Sequence, residues 1–149
     1  MMQILFLLVT LFNGVAPSPV NWSTKAQKIN DHEYNLIFTA NIENGWNIYS
    51  QHMKGDDGPV KTSFTYEAPD RIQLIGKNEE TGDIHKGIDE MFGIELIKIM
   101  KKGTFTQHIK LRDANVKQIK GSIEYMCCNS MQCLPPKQVP FTIDLSTAK

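Results

Sequence analysis

Period-two alternation limits what this chain can become more than any other feature. In Glu33 to Ile42 (EYNLIFTANI), Tyr34, Leu36, Phe38, Ala40 and Ile42 fall on one side, with Asn35, Thr39 and Asn41 on the other. Successive side chains of a strand point to opposite faces, so as a strand this run has one dry face and one wet face; as a helix it would scatter its apolar residues. Gly103 to Leu111 repeats the pattern with Phe105, Ile109 and Leu111 inward, and Val139 to Leu145 with Phe141, Ile143 and Leu145 inward. Val20 to Ser23, Thr62 to Glu67 and Ile72 to Ile75 read as further strands. Ile94 to Met100 has a spacing that a helix would also tolerate, but its isoleucines are stiff at χ1 and favour a strand. Asn44-Gly45 is a hairpin-turn dipeptide and should return Trp46 to Tyr49 antiparallel to the preceding strand. Asn78 to Lys86 reads as a polar, mobile connection. About eight or nine short strands with turn signals between them predict an all-β, immunoglobulin-like antiparallel β-sandwich.

A chain of 149 residues is long enough for one such core. Its formal net charge is +0 with charges scattered along the chain, which argues against nucleic acid or an anionic membrane surface as a partner and leaves a monomer as the expectation. Ile4 to Phe12 (ILFLLVTLF) is an apolar run too short for a bilayer span, which takes about 20 residues. It fits the apolar region of a secretory signal, followed by a small-x-small site at Gly14-Val15-Ala16. Residues 1–16 therefore read as a signal peptide and 18–149 as an exported domain, periplasmic or secreted, that does not insert into a membrane. Export also permits disulfide chemistry.

All three cysteines lie in one stretch, EYMCCNSMQCLPP, as Cys127, Cys128 and Cys133. Residues facing each other across a hairpin have Cα atoms about 4.5–5.5 Å apart, within reach of a disulfide. Cys128 and Cys133 bracket a four-residue loop and can face each other directly, whereas Cys127 is one step out of register. A vicinal Cys127–Cys128 bridge needs an unusual backbone. Parity along the strand places Ile119, Ile123, Tyr125 and Cys127 on the apolar face, and Lys120, Ser122, Glu124 and Cys128 on the polar one. Cys128 is thus expected to be reachable and Cys127 to be a small buried hydrophobe. Spacing alone leaves two roles open for the bridge, a structural staple or a working redox pair. The thiols do not match the C-x2-4-C pairs of zinc sites, and the four histidines are scattered, so no metal site is expected.

Several segments together resemble one known family. They are Gly45-Trp46-Asn47-Ile48-Tyr49, the Gly58 to Phe64 segment, the Asp89-Glu90-Met91-Phe92-Gly93 loop, Thr104 to Gln107, and Glu124 to Pro136 with its cysteines and Pro-Pro step. The chain is similar to the N-terminal periplasmic domain of the thiol:disulfide interchange protein DsbD over roughly Val20 to Leu145. The resemblance implies an immunoglobulin-like fold and a thiol-disulfide oxidoreductase role without a cofactor. Cys128 and Cys133 would be the catalytic pair. They would take electrons from a membrane-embedded, DsbD- or CcdA-like thiol reductant and pass them to periplasmic thioredoxin-like proteins, a supply line that also serves cytochrome c biogenesis. Asp89, Glu90, Met91, Phe92 and Gly93 would form a cap loop, with Met91 or Phe92 as the apolar lid. Tyr49, Tyr125 and Cys127 would be neighbours of the site, and Cys133 the cysteine that forms the mixed disulfide. Because the sequence ends at Lys149, the reductant is expected on a separate chain. Lys120 and Lys137 would favour a thiolate, and Asp89 and Glu90 would oppose it. The competing function is an exported immunoglobulin-like binding or adaptor module with an inert bridge.

Overall fold

The computed structural model describes residues 18–149. The signal-peptide reading of residues 1–16 lies outside the described residues. Eight strands follow in chain order: β1 (Val20–Lys28), β2 (Glu33–Ile42), β3 (Asn47–Tyr49), β4 (Ser63–Tyr66), β5 (Ile72–Ile88), β6 (Glu95–Leu111), β7 (Gln118–Tyr125) and β8 (Lys137–Asp144). Single 3₁₀ turns occupy Pro69–Arg71 and Leu145–Thr147. The strands form two antiparallel sheets. One is five-stranded, with β6 bonded to β5 along one edge and to β2 and β3 along the other, and β1 outside β2. The other is three-stranded, in the order β4-β7-β8. The expected immunoglobulin-like β-sandwich is observed.

The alternating residues fill the space between the sheets. Leu36, Phe38, Ala40, Phe105, Ile109 and Ile123 are fully buried. Aromatic rings interdigitate from both sides: Phe38 of β2 lies 4.6 Å from Phe64 of β4 and 4.9 Å from Phe141 of β8, centroid to centroid. Phe105 of β6 lies 5.2 Å from Phe64, and Trp22 of β1 lies 5.6 Å from Tyr125 of β7. Fully burying a side chain of this kind is worth about 1.5–3 kcal/mol, so this cluster dominates the stability of the fold.

Three expectations are corrected. First, Asn44-Gly45 does turn the chain, with Gly45 at φ 85° and the Trp46 N–H donating to the Glu43 carbonyl at 3.1 Å. The strand after it does not return along β2, however. Both edges of β2 are taken by β1 and β6, so β3 pairs with Lys98 to Met100 of β6 instead. Second, the polar stretch Asn78 to Lys86 is no mobile connection. It belongs to the 17-residue β5, which runs antiparallel to β6 with register shifts at Ile75/Glu79 and Gly82/Asp83. An edge strand with both faces near water has no dry face to record in its sequence. Backbone bonds to β6 hold it. Third, Ile94 to Met100 and Gly103 to Leu111 are not two strands but parts of one, β6. Lys101, at φ 55°, marks a bulge where pairing with β2 gives way to pairing with β3. Bulges re-aim a strand, and this one carries the first part of β6 to the end of the sandwich where the cysteines lie.

Candidate functional site

The alternation of β7 continues past its last ladder bond. Ile119, Ile123, Tyr125 and Cys127 point into the main core. The opposite parity continues through Met126 to Cys128, and here the structure departs from expectation. Cys128 is not reachable but 2% exposed. The outward face of β7 is wet along most of its length, but at this end β3 and the β5–β6 hairpin cover it. Tyr49, Met53, Leu96 and Cys128 form a second buried cluster, flanked by Phe92, Ile94, Ile97, Met126 and Cys133.

Cys128 and Cys133 are disulfide-bonded, with Cα atoms 4.0 Å apart. Backbone bonds frame the pair. Cys128 and Asn47 exchange N–H···O bonds of 2.9 and 3.0 Å, joining β3 of one sheet to the end of β7 in the other. The Leu134 N–H donates to the Cys127 carbonyl at 2.9 Å. The disulfide therefore sits on the seam between the sheets, with Cys128 inside and Cys133 half-buried at the rim.

The cover is the turn between β5 and β6. Its neck closes through the Asp89 N–H to the Ile94 carbonyl at 2.9 Å, and the Gly93 N–H, at φ 69°, donates to the Asp89 carbonyl at 2.7 Å. A positive φ favours glycine because it has no Cβ to clash. The Asp89 carboxylate accepts from the Phe92 N–H at 2.9 Å and pairs with the Lys98 ammonium. Burial pushes the Asp89 carboxyl up, but Lys98 and the Phe92 and Met91 N–H groups outweigh it and hold the carboxyl below the usual range. Phe92 is thereby turned inward onto Tyr49, at 6.4 Å between centroids and 78° between planes. Met91, 52% exposed, points away.

Tyr49 is buried, and its carbonyl accepts from both the Thr62 N–H at 3.1 Å and the Thr62 hydroxyl at 2.7 Å. Burial raises its phenol above the ordinary value; Asn47 works against that rise, and Asp89 and Cys127 add to it. The next residue, Ser50, donates its N–H to Ile97 of β6 and its hydroxyl to Glu80 of β5. Glu80 also accepts from the Gln51 N–H at 3.0 Å, so the segment leading to Met53 is fixed against the large sheet. Beside the disulfide, between the cap turn and the cysteine loop, runs an open groove of about 510 Å³ lined by Asn47, Ile88, Asp89, Met91, Asn129 and Ser130.

No protein-family model and no curated protein matches the chain. Solved structures do. The N-terminal domain of DsbD from Neisseria meningitidis, in its reduced form, matches at a TM-score of 0.54 and 18% identity, over 84% of this chain and 83% of that one. The same domain in complex with the PilB N-terminal domain matches at 0.52 and 17%, over 87% and 88%. The N-terminal periplasmic domain of ScsB from Proteus mirabilis matches at 0.60 and 14%, over 87% of this chain and 47% of that chain, so this chain spans about half of its length. The chain has the fold of the DsbD N-terminal domain.

Within this DsbD-like fold, the structure brings together Cys128, Cys133, Tyr49 and Phe92, with Asp89 holding the turn. Glu90, Met91 and Gly93 lie on the turn's outer side, and all three are exposed. Of the two candidate lids, Phe92 is the one facing the cluster. Tyr125 and Cys127 share the odd parity of β7 and turn their side chains into the main core, while the Cys127 backbone adjoins the disulfide. Burial, with Glu43 adding to it, pushes the Cys127 thiol up to about 11, so it is protonated at neutral pH. Lys120 lies eight residues before Cys128, about 26 Å away at strand rise, too far to act on it. Lys137 is exposed and its ammonium reaches the Ser18 hydroxyl at 3.5 Å. Asp89 is paired with Lys98, and its charge still adds to the rise of the Tyr49 phenol. Sequence reasoning missed Met53, Leu96, Met126 and Lys98. Their only signal was apolar or basic character on segments whose neighbours the topology decides.

Proposed function

We propose that this chain is an exported thiol-disulfide interchange domain, relaying electrons through Cys128 and Cys133 between a membrane thiol reductant and thiol proteins outside the cytoplasm. The observation that carries this reading is the location of the disulfide. It is set apart from the main core, in its own apolar pocket at one end of the sandwich, with one sulfur at the rim under a short turn. A bridge that only stapled the fold would need neither a rim position nor a separate cover.

The half-buried Cys133 is the sulfur a partner meets first. In the reducing step, a thiolate of the reductant attacks Cys133 Sγ, forming a mixed disulfide and releasing Cys128 as a thiolate that takes up a proton. The reductant's second thiol then attacks its own sulfur in that mixed bond. The reductant leaves oxidised, and the domain is left with two thiols. In the delivering step the roles invert: the Cys133 thiolate attacks the acceptor's disulfide, Cys128 resolves the mixed bond, and two electrons pass on. Phe92 covers the pair between encounters and swings out with the turn to admit a partner. The DsbD–PilB complex from Neisseria meningitidis supports a protein partner of this kind.

The test is a redox titration with a trapping arm. A reduction potential near about −200 mV fits exchange, whereas one below roughly −300 mV marks an inert bridge and favours the adaptor reading. In the trapping arm, Cys128→Ser leaves the rim thiol and accumulates a mixed disulfide with a thioredoxin-like protein. Cys133→Ser leaves only the buried thiols of Cys127 and Cys128 and traps little. The opposite pattern would overturn the assignment.

A further inference from the structure

Building on that exchange reading, we propose that Asn129 is a positioning residue that sets how readily the Cys128–Cys133 bond is reduced. It does so by holding the cysteine loop closed whether or not the sulfurs are bonded.

The loop between the cysteines has almost no packing of its own. Met131 is 87% exposed at its tip, and Ser130 and Gln132 are exposed on either side. Hydrogen bonds to Asn129 shape it instead. The Asn129 side-chain carbonyl accepts from the Met131 N–H at 2.9 Å and from the Gln132 N–H at 2.8 Å. The Asn129 N–H donates to the Gln132 carbonyl at 2.9 Å. Below the loop, the Leu134–Cys127 bond and the Cys128–Asn47 pair hold the two chain segments together. None of these bonds involves sulfur, so all of them remain available after reduction.

This has a thermodynamic consequence. Forming a disulfide removes loop freedom from the dithiol state, and the more freedom there is to remove, the weaker the bond. A loop already folded back by Asn129 has little left to lose. Its thiols stay facing each other, ring closure is favoured, and the bond is harder to reduce. Without the side-chain acceptor, the dithiol loop opens and gains entropy, while the disulfide form stays tied by its sulfurs. Reduction then becomes easier. Asn129 touches no reacting atom in this scheme and acts only through the loop.

The test compares reduction equilibria of the full chain in dithiothreitol buffers, read as mass shifts after thiol alkylation. Asn129→Ala is expected to move the equilibrium toward the dithiol by about tenfold, which is about 30 mV for a two-electron couple. Asn129→Asp keeps the acceptor and is expected to stay close to the unaltered protein. Met131→Ala removes only the exposed side chain and is expected to change nothing. An Asn129→Ala equilibrium equal to that of the unaltered protein overturns the proposal, and so does an Asp or Met131→Ala variant that shifts as far as Asn129→Ala. Failure of the unaltered protein to exchange with any partner overturns the relay reading alone, because the variant comparison needs only the small-molecule reductant.

Discussion

The described residues form two apolar interiors, and adjacent residues divide between them: Cys127 belongs to the first and Cys128 to the second. The main interior is walled by strands of both sheets and filled with rings, among which Trp22–Phe64 and Phe38–Phe141 meet face to edge across the sandwich. The smaller one is walled by strand ends and closed by a turn whose shape depends on one carboxylate and one ammonium. The first is enclosed by paired strands, the second by a short turn, and on the exchange reading proposed above it is the turn that moves to admit a partner.

The largest effect that would test this contrast is on exchange itself. Cys128→Ser and Cys133→Ser are each expected to abolish electron transfer to a thioredoxin-like acceptor, while Cys127→Ser leaves most of it, as read by acceptor thiol release. Equal losses from all three would erase the distinction between the interiors.

Next comes a pair of aromatic truncations. Phe38→Ala in the main interior is expected to cost about 3–5 kcal/mol in urea unfolding. Phe92→Ala, on a half-buried ring at the cap, is expected to cost less than about 1.5 kcal/mol. The order reverses for chemistry: Phe92→Ala should speed reduction of the folded protein by dithiothreitol severalfold, with Phe38→Ala changing it little at temperatures where that variant stays folded.

A smaller effect concerns the latch. The Asp89 carboxyl has a folded-state pKa below its ordinary 3.8, so its contribution is present above about that pH and lost as pH falls through the folded value. Reduction by a phosphine, which needs no thiolate, should accelerate below about pH 4 as the latch protonates. Asp89→Asn should be faster at neutral pH and lack the acid rise.

The smallest effect lies in the main interior. The Cys127 thiol is raised from 9.0 to about 11, so between those values the unfolded chain gives up a proton that the folded one keeps. Stability should therefore fall as pH rises through that window. Cys127→Ser should remove that part of the slope in urea titrations, leaving the part due to Tyr49, Tyr66 and Tyr125, whose phenols are also raised by burial.

Much of the sandwich was legible in the residues. The inward positions of β2, Phe141, Ile143 and Leu145 at the end of the chain, and Phe105, Ile109 and Leu111 of β6 were all assigned by parity, and all are buried. The same parity put Cys127 inside and paired Cys128 with Cys133, and the structure has both. It failed where residues carry no pattern. The middle of β5, from Gly76 to Asp83, has no apolar residue on either face because it lies at an edge, and backbone bonds to β6 make it a strand. Asn44-Gly45 encoded a turn but not the strand's next neighbour, because that depended on β2 already having two.

By itself, then, the sequence determined which way each side chain of a strand points and which thiols face each other, since both follow from a two-residue period that the chain carries locally. Only the tertiary structure decided what lies over a given face. Cys128 points outward as its position demands and is buried all the same, because β3 and the β5–β6 turn arrive there from more than thirty residues away in sequence, brought by a register with β6 that no local pattern records.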